Sequence, residues 1–405
     1  MNSSYLIIGG GIFGVSTAYH LAQAYPEASI VLVDRSEEFP SPLAASHDFN
    51  KIVRADYGNS FYCQLALEAR QAWTSDPLYS TFYHQSGLLN IDGTGLGKRI
   101  IRNYEDSKVH SKATIIGSDE MKFRYNGIFA DANYRGVDEI FINPLSGWAE
   151  ATLAVKAVVE KCRNSGVKFI QGDVTNLIFD DHDRCTGIKT TDGRTFSADK
   201  VILSTGAGTA RLLAESSPER EDLQAGDRIT AAAVVTGVVK LTSEQMERFK
   251  TSPAFIHSID SILPPTPDGL LKFCVDVSFK NTSYHQKSGQ MISAPPDSLD
   301  QDQHKIPNSL KNECHRVLVL TLARDGITPN QDFIISSHPC SRNLYIATGG
   351  SFHGWKFLPI IGKYVVQMLD GQLEPELQKR WAWNREQTGS AHERLLPQRE
   401  LRDLL

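Results

Sequence analysis

Cysteine is scarce in this chain and widely scattered. Its six residues (Cys63, Cys162, Cys185, Cys274, Cys314 and Cys340) form no C-x-x-C pair and have no histidine at metal-ligand spacing. No metal site is expected, and the thiols read as reduced ones in a reducing compartment. Long apolar runs are also missing, since none approaches the ~20 residues of a membrane span. The N-terminal apolar run leads straight into a glycine loop instead of a cleavage site, so secretion is not expected. No Lys/Arg block occurs and the formal net charge is −5, which leaves no electrostatic footprint for nucleic acid. The final residues, RDLL, are not a peroxisomal address of the S-K-L kind. The expectation is an intracellular protein, cytoplasmic or peroxisomal, without membrane or nucleic-acid partners.

Apolar residues make up 41% and charged residues 22%, as in a soluble globular protein. At 405 residues the chain is longer than one core usually supports, so two domains or one interrupted domain are expected.

Near the start stands "SYLIIGGGIFG" (residues 4–14), followed by the helical pattern "VSTAYHLAQAYP" and the strand pattern "ASIVLVD", which ends in Asp34. This is strand, G-x-G-x-x-G, helix, strand and acid in order, the pattern of a dinucleotide site. Gly9 permits the tight turn, Gly11 lets backbone N–H groups approach a pyrophosphate, and Gly14 packs helix on strand. Asp34 would accept hydrogen bonds from a ribose, which favours FAD or NAD over a 2′-phosphorylated cofactor. The pyrophosphate would sit at the positive end of the helix.

NAD would call for strand–helix units that continue in sequence. The stretch after Asp34 is instead polar and proline-broken to about Phe61, and a loop that long is usually functional. Helical pattern follows at 60–73 and again at 149–165, where Gly166 closes the helix. The segment "KVILSTGAGTARLL" is a strand with a small-residue turn. It either returns to the first sheet or is an ordinary buried strand. Residues 229–323 read as mostly antiparallel strands, and 332–371 returns to strands and a helix closed by Gly371.

A second glycine turn, "GGSFHGWKF" (residues 349–357), lies more than three hundred residues after the first. At a helix N-terminus of the same sheet it would present N–H groups and Lys356 to the far end of a long cofactor. A flavin needs such positive groups near N1 and C2=O. Lys272 stands in an apolar strand pattern, where a buried lysine needs a partner or a task. His353 suits either a flavin contact or a backbone cap in a tight loop, and Tyr57 and Trp148 suit either a pocket wall or the core.

The segments "IIGGGIFGVSTAYHLA", "NKIVRADYG", "GWAEA", "LLKF", "DGITPNQDFIISSHP" and "GGSFHGWKF", in that order, resemble the FAD-dependent sarcosine oxidase family. They are most like its fungal members, which oxidise fructosyl amino acids, saccharopine or pipecolate. The resemblance runs from about Ser4 to Trp383. It implies an α/β two-domain flavoprotein with a discontinuous doubly wound, Rossmann-like FAD domain (1–85, 149–228 and 325–385). An antiparallel substrate domain (86–148 and 229–324) and a polar tail (386–405) would complete it.

The implied activity is oxidation of a secondary amine in an N-substituted amino acid, giving an imine and, through O2, hydrogen peroxide. The partners implied are a small-molecule amine and O2, and a monomer is expected. Two alternatives stay open: an oxidase acting on a larger secondary-metabolite amine, and a catalytically impaired flavin-binding homologue. The resemblance implies that Arg54 and Lys356 bind the substrate carboxylate and that Lys51 lies beside the flavin. Lys272 would promote oxygen reduction, Asp276 would help select the amine side, and Tyr57 would contact substrate. It further implies FAD contacts from Gly9, Gly11, Ile12, Phe13, Gly14, Asp34, Arg35, Ser41, Ser46 and Val174. Gly206, Gly350, Phe352, Gly354 and Trp355 would complete that set.

One departure stands out. Family members attach FAD through a cysteine two residues before the aspartate of D-x-x-T-P, and Ala323 occupies that position, before Asp325-Gly326-Ile327-Thr328-Pro329. The segment leading to Ala323 is also shorter than the family's. Non-covalent FAD is therefore the expectation.

Overall fold

The computed structural model describes residues 3–91, 93–257, 260–296, 306–313, 319–388 and 396–404, with the backbone alone for residues 260, 275–277, 312–313 and 319–323. Six strands form one sheet, in the order Ile334–Ser337, Leu344–Thr348, Lys200–Leu203, Ser4–Ile8, Ser29–Asp34 and Lys168–Gln171. All neighbours are parallel except the first pair. Three distant pieces of chain thus share one sheet, and the strand before Gly206 lies beside the first strand of the chain.

Parallel strands are buried on both faces, which is why these segments read as continuous apolar runs. Tyr5 and Ile7 pack with the helices Ile12–Ala24, Ala151–Asn164 and Ile361–Leu369. Leu6 and Ile8 pack on the opposite side with Leu177, Ile188 and Leu213. That side is covered by a three-stranded sheet (Val174–Phe179, Cys185–Thr190, Thr195–Ser197) and the helix Thr209–Ser216.

Helices Ile12–Ala24 and Ile361–Leu369 meet backbone to backbone. Ser16 Oγ donates to the Leu358 carbonyl at 2.7 Å and accepts from Gly362 N at 2.9 Å. A Cβ on Gly362 would lie 2.1 Å from the Ser16 carbonyl oxygen. Glycine is required there by contact, not by dihedral angle.

A larger sheet runs Val319–Ile327, Thr230–Lys240, Leu270–Lys280, Asp260–Ile262, Ala254–His257, Leu88–Ile91, Ile140–Asn143, Thr114–Ile116. It is antiparallel apart from the pairing of Ala254–His257 with Leu88–Ile91. Strand Val319–Ile327 continues past position 324, and a short turn then carries the chain into the parallel sheet at Ile334. A small sheet pairs Lys51–Val53 and Tyr83–His84 with Gly147–Ala149, so the intervals expected in different domains hydrogen-bond to each other here.

The polar tail is not wholly peripheral. Arg399–Glu400 pairs with Phe279 and Lys280, and Leu401 is buried against Ala233, Val235, Phe279 and Leu310. Leu401 and Leu404, which packs on the same cluster, stand among charged residues and are too few to set a periodicity from which docking could be read.

Gly362→Ala should destabilise the protein by about 3 kcal/mol or prevent folding, because the added methyl must separate two helices. Gly166→Ala, whose methyl would meet nothing within 4 Å, should cost only about 1 kcal/mol from its φ of +86°. Chemical denaturation of both variants checks the contrast, and equal losses would refute the contact argument.

Candidate active site

A cavity of about 1250 Å³ runs between the two glycine loops. That is above the ~300–1,000 Å³ of ordinary small-ligand pockets, so it has room for a long cofactor and a substrate together. Gly9, Gly11, Ile12, Phe13, Asp34, Arg35, Ser41, Ser46, Val174, Gly206, Gly350, Phe352, Trp355 and Lys356 all line it. So do Lys51, Arg54 and Lys272. Gly14, Tyr57 and Gly354 stand behind the wall. The side chain of Asp276 lies outside the described residues, although its backbone belongs to strand Leu270–Lys280.

At the first loop Gly9 has φ +102°, and a Cβ on Gly14 would lie 1.9 Å from the Gly9 carbonyl. Gly11 differs: its nearest prospective neighbour is Ser46 Oγ at 3.8 Å, so its open side faces the cavity. The helix beginning at Ile12 has no side-chain cap, which leaves first-turn N–H groups for an anion. Asp34 accepts from Gly10 N at 2.7 Å and Ser36 N at 3.0 Å. Burial raises its pKa, against those two N–H groups.

The second loop is strained, with positive φ at Ser351 (49°) and Phe352 (59°). Asp325 holds it in place: its carboxylate accepts from Phe352 N at 2.7 Å and Gly326 N at 2.8 Å. Burial pushes the Asp325 carboxyl up to about 6. Four residues that line the cavity carry a polar side-chain atom buried without a hydrogen-bond partner: Ser46 Oγ, Ser204 Oγ, Thr348 Oγ1 and Trp355 Nε1. Orphans of this kind point to a polar ligand that completes them.

Lys356 Nζ donates to Tyr57 Oη at 2.8 Å and to the His353 carbonyl at 2.7 Å. His353 Nε2 faces the Gln331 carbonyl at 2.9 Å. A carbonyl only accepts, so Nε2 carries the proton and Nδ1 accepts from the Tyr57 hydroxyl at 3.0 Å. Burial first, then Lys356, pushes His353 down to about 3, so the ring is neutral. Tyr57 therefore fixes Lys356 from behind the cavity wall. Arg54 donates to the Asp56 carbonyl, and its Cζ lies 5.2 Å from the Tyr57 ring centre, as does Lys356 Nζ. Trp148 stacks on His84 instead of lining the cavity.

Lys272 is buried, with Nζ 2.6 Å from Asp48 Oδ2 and 2.5 Å from the Asn50 carbonyl. Lys51 Nζ lies 3.0 Å from the same Asp48 oxygen. Asp48, Asp325, Ser204, Thr348 and Arg324 line the cavity without having been singled out in the sequence. Asp48 has a local signal, an acid three residues before Lys51 in a long loop, and Asp325 is the aspartate of the D-x-x-T-P segment.

The family model described as "FAD dependent oxidoreductase" matches residues 4–368. The chain belongs to that family. It is therefore an FAD-dependent oxidoreductase, and the orphaned wall atoms, the open Gly11 and the uncapped helix fit that cofactor. Over 426 aligned positions it is 26% identical to L-saccharopine oxidase of Schizosaccharomyces pombe, covering 96% of this chain and 95% of that one. A monomeric sarcosine oxidase of Bacillus sp. is 25% identical, over 92% and 93% of the two chains. A modified fructosyl peptide oxidase from Aspergillus nidulans superposes with TM-score 0.83 at 27% identity, over 100% and 99% of the chains. Among the described residues no helix is long and apolar enough to cross a membrane.

Two tests follow from this geometry. Gly11→Val fills the open side of the first loop and should abolish FAD binding while leaving a folded apoprotein. Stoichiometric FAD in the purified variant would refute it. In the apoprotein the folded pKa of Asp325, about 6, lies above its ordinary value of 3.8. Its contribution to stability is then full below about pH 4 and lost as pH rises through 6. Asp325→Asn should remove that slope from denaturation curves between pH 4 and 7, and an unchanged slope would contradict the assignment.

Proposed function

We propose that the protein oxidises the secondary amine of an N-substituted amino acid, uses O2 as final acceptor and releases hydrogen peroxide. The observation that carries this reading is the pair of buried cations, Arg54 and Lys356, set against one tyrosine ring and lining the cavity beside the second glycine loop. Two pre-oriented cations make a site for a carboxylate, because charge-assisted hydrogen bonds to a fixed anion are the strong ones. The names of relatives that oxidise saccharopine and sarcosine support an amino acid with a substituted nitrogen.

FAD, when bound, supplies a hydride acceptor for the carbon next to the amine. In this reading Gly9, Gly11, Asp34, Ser46 and the first-turn N–H groups hold its dinucleotide part. Gly350, Phe352 and Trp355 would hold its other end. Arg54 and Lys356 orient the substrate carboxylate, and the tied-back ring of His353 is not available as a base. Asp276 would meet the amine side. Lys272 supplies positive charge where electrons reach dioxygen, and Lys51 stands beside it.

Retention of FAD is non-covalent in this reading, because Ala323 offers no thiol. After acid precipitation the yellow colour should move to the supernatant. Colour kept in the pellet, on a flavin peptide containing Cys314 or Cys340, would refute that. The altered attachment position favours one second reading, a flavin-binding homologue without turnover.

Stopped-flow kinetics separate these readings. Lys356→Met should weaken substrate binding and anaerobic reduction together, by roughly ten- to a hundred-fold, as expected for loss of about 1.5–3 kcal/mol of charged hydrogen bonding. Lys272→Met should leave reduction nearly intact and slow reoxidation by O2 by orders of magnitude. A yellow protein in which neither change alters either half-reaction supports the non-enzymatic reading instead.

A further inference from the structure

Lys272 and Lys51 come from different sheets and converge on one oxygen atom, Asp48 Oδ2, at 2.6 and 3.0 Å. Asp48 is itself held by its backbone, which exchanges hydrogen bonds with Thr152: Asp48 N donates to Thr152 Oγ1 at 3.0 Å and the Asp48 carbonyl accepts from it at 2.8 Å. The carboxylate thus stands on a loop anchored to the helix Ala151–Asn164, three residues before Lys51 and 224 before Lys272.

We infer that Asp48 is a positioning residue that keeps the buried Lys272 ammonium charged and aimed at the cavity, and that it is shared with Lys51. The consequence for dioxygen rests on the oxidase reading above; the charge state of Lys272 does not. Burial first, and the Lys51 charge with it, lowers the pKa of Lys272 below the ordinary lysine value, and the Asp48 carboxylate limits that loss. Burial also disfavours the Asp48 carboxylate, yet Lys272 and Lys51 beside it hold the carboxyl down at about 2. Each charge is tolerable because the others are present.

The other groups facing this cluster are few. Cys274 shares the strand of Lys272, His47 is near Asp48 and Lys51 with Lys156 and Glu38 also acting on it, and Lys51 acts on Asp325 across the cavity. The Phe49 ring lies 5.4 Å from Lys272 Nζ. Among the described side chains Asp48 is the carboxylate in contact with Lys272. A neutral amine at Lys272 could not stabilise anionic charge developing on dioxygen, so a cation kept through neutral pH is what the reaction needs.

The test is NMR of the holoenzyme labelled with 13C-lysine, with Lys272→Met used to assign the Lys272 signal. In Asp48→Asn, Lys272 should titrate about one to three pH units below its position in the unsubstituted protein, and Asp48→Glu should restore part of the difference. Lys51→Met should move the titration the other way, which keeps the inference testable if Asp48→Asn does not fold. A Lys272 titration left unmoved in a folded Asp48→Asn overturns the inference, as does one left unmoved by Lys51→Met where Asp48→Asn does not fold.

Reoxidation by O2, followed from pH 6 to 9, tests the reading beneath it separately. Lower Lys272 proton affinity means that the cation is lost at a lower pH as pH rises, so the rate in Asp48→Asn should fall off earlier. A shifted titration with an unaltered reoxidation profile supports the role of Asp48 and overturns the oxygen-side assignment of Lys272.

Discussion

The contact between the Ser16 carbonyl and the α-carbon of Gly362 joins the helix after the first glycine loop to the helix after the second. Both loops sit at the N-terminal ends of helices that cross without a side chain between them. Their separation across the cavity is therefore set by backbone, which deforms far less than side chains do. In the proposed reading FAD would span from the first loop to the cation-bearing second turn, which calls for that fixed span. It explains why one protein carries two glycine-rich turns more than three hundred residues apart in sequence.

Around this frame the cavity concentrates charge that the interior would otherwise reject. Lys272 and Lys51 share Asp48, Lys356 is held by Tyr57 and the His353 carbonyl, and Arg54 is held by the Asp56 carbonyl. Asp56 in turn accepts from Tyr104 at 3.1 Å, Asn143 at 2.6 Å and Ser146 at 2.7 Å, which fixes the loop that carries Arg54. Buried cations persist only when such partners are pre-placed. The same partners hold the cations in position before a ligand arrives, so little reorganisation is left for binding. The strained turn at Ser351 and Phe352 belongs to this scheme, because the Asp325 carboxylate that fixes it also lines the cavity.

Much of the site was legible in the sequence because it depends on local rules. Gly9, Gly11, Gly14 and Asp34 announce themselves by spacing, since a turn, a close approach and a helix–strand contact each exclude larger residues at fixed offsets. Lys272 stands out as a charge in an apolar strand, and Lys356 as a charge between aromatics at a glycine turn. Tyr57 was legible as a residue of the site, but its position behind the wall was not. Whether an aromatic faces a cavity or braces a cation depends on neighbours from another part of the chain, here Lys356, 299 positions away.

By itself the sequence determined the parallel strands, the two glycine turns and the identity of the cations. These follow from apolar runs buried on both faces, from backbone that must be bare, and from residue type alone. Only the tertiary structure decided what neutralises and aims those cations. Asp48 meets Lys272 across 224 positions, and Arg399–Glu400 of an otherwise polar tail pairs with the strand that carries Lys272. Periodicity reports how a segment lies relative to its own neighbours. A counter-charge acts through space at a few ångströms, and which distant segment supplies it is fixed only when the sheets assemble.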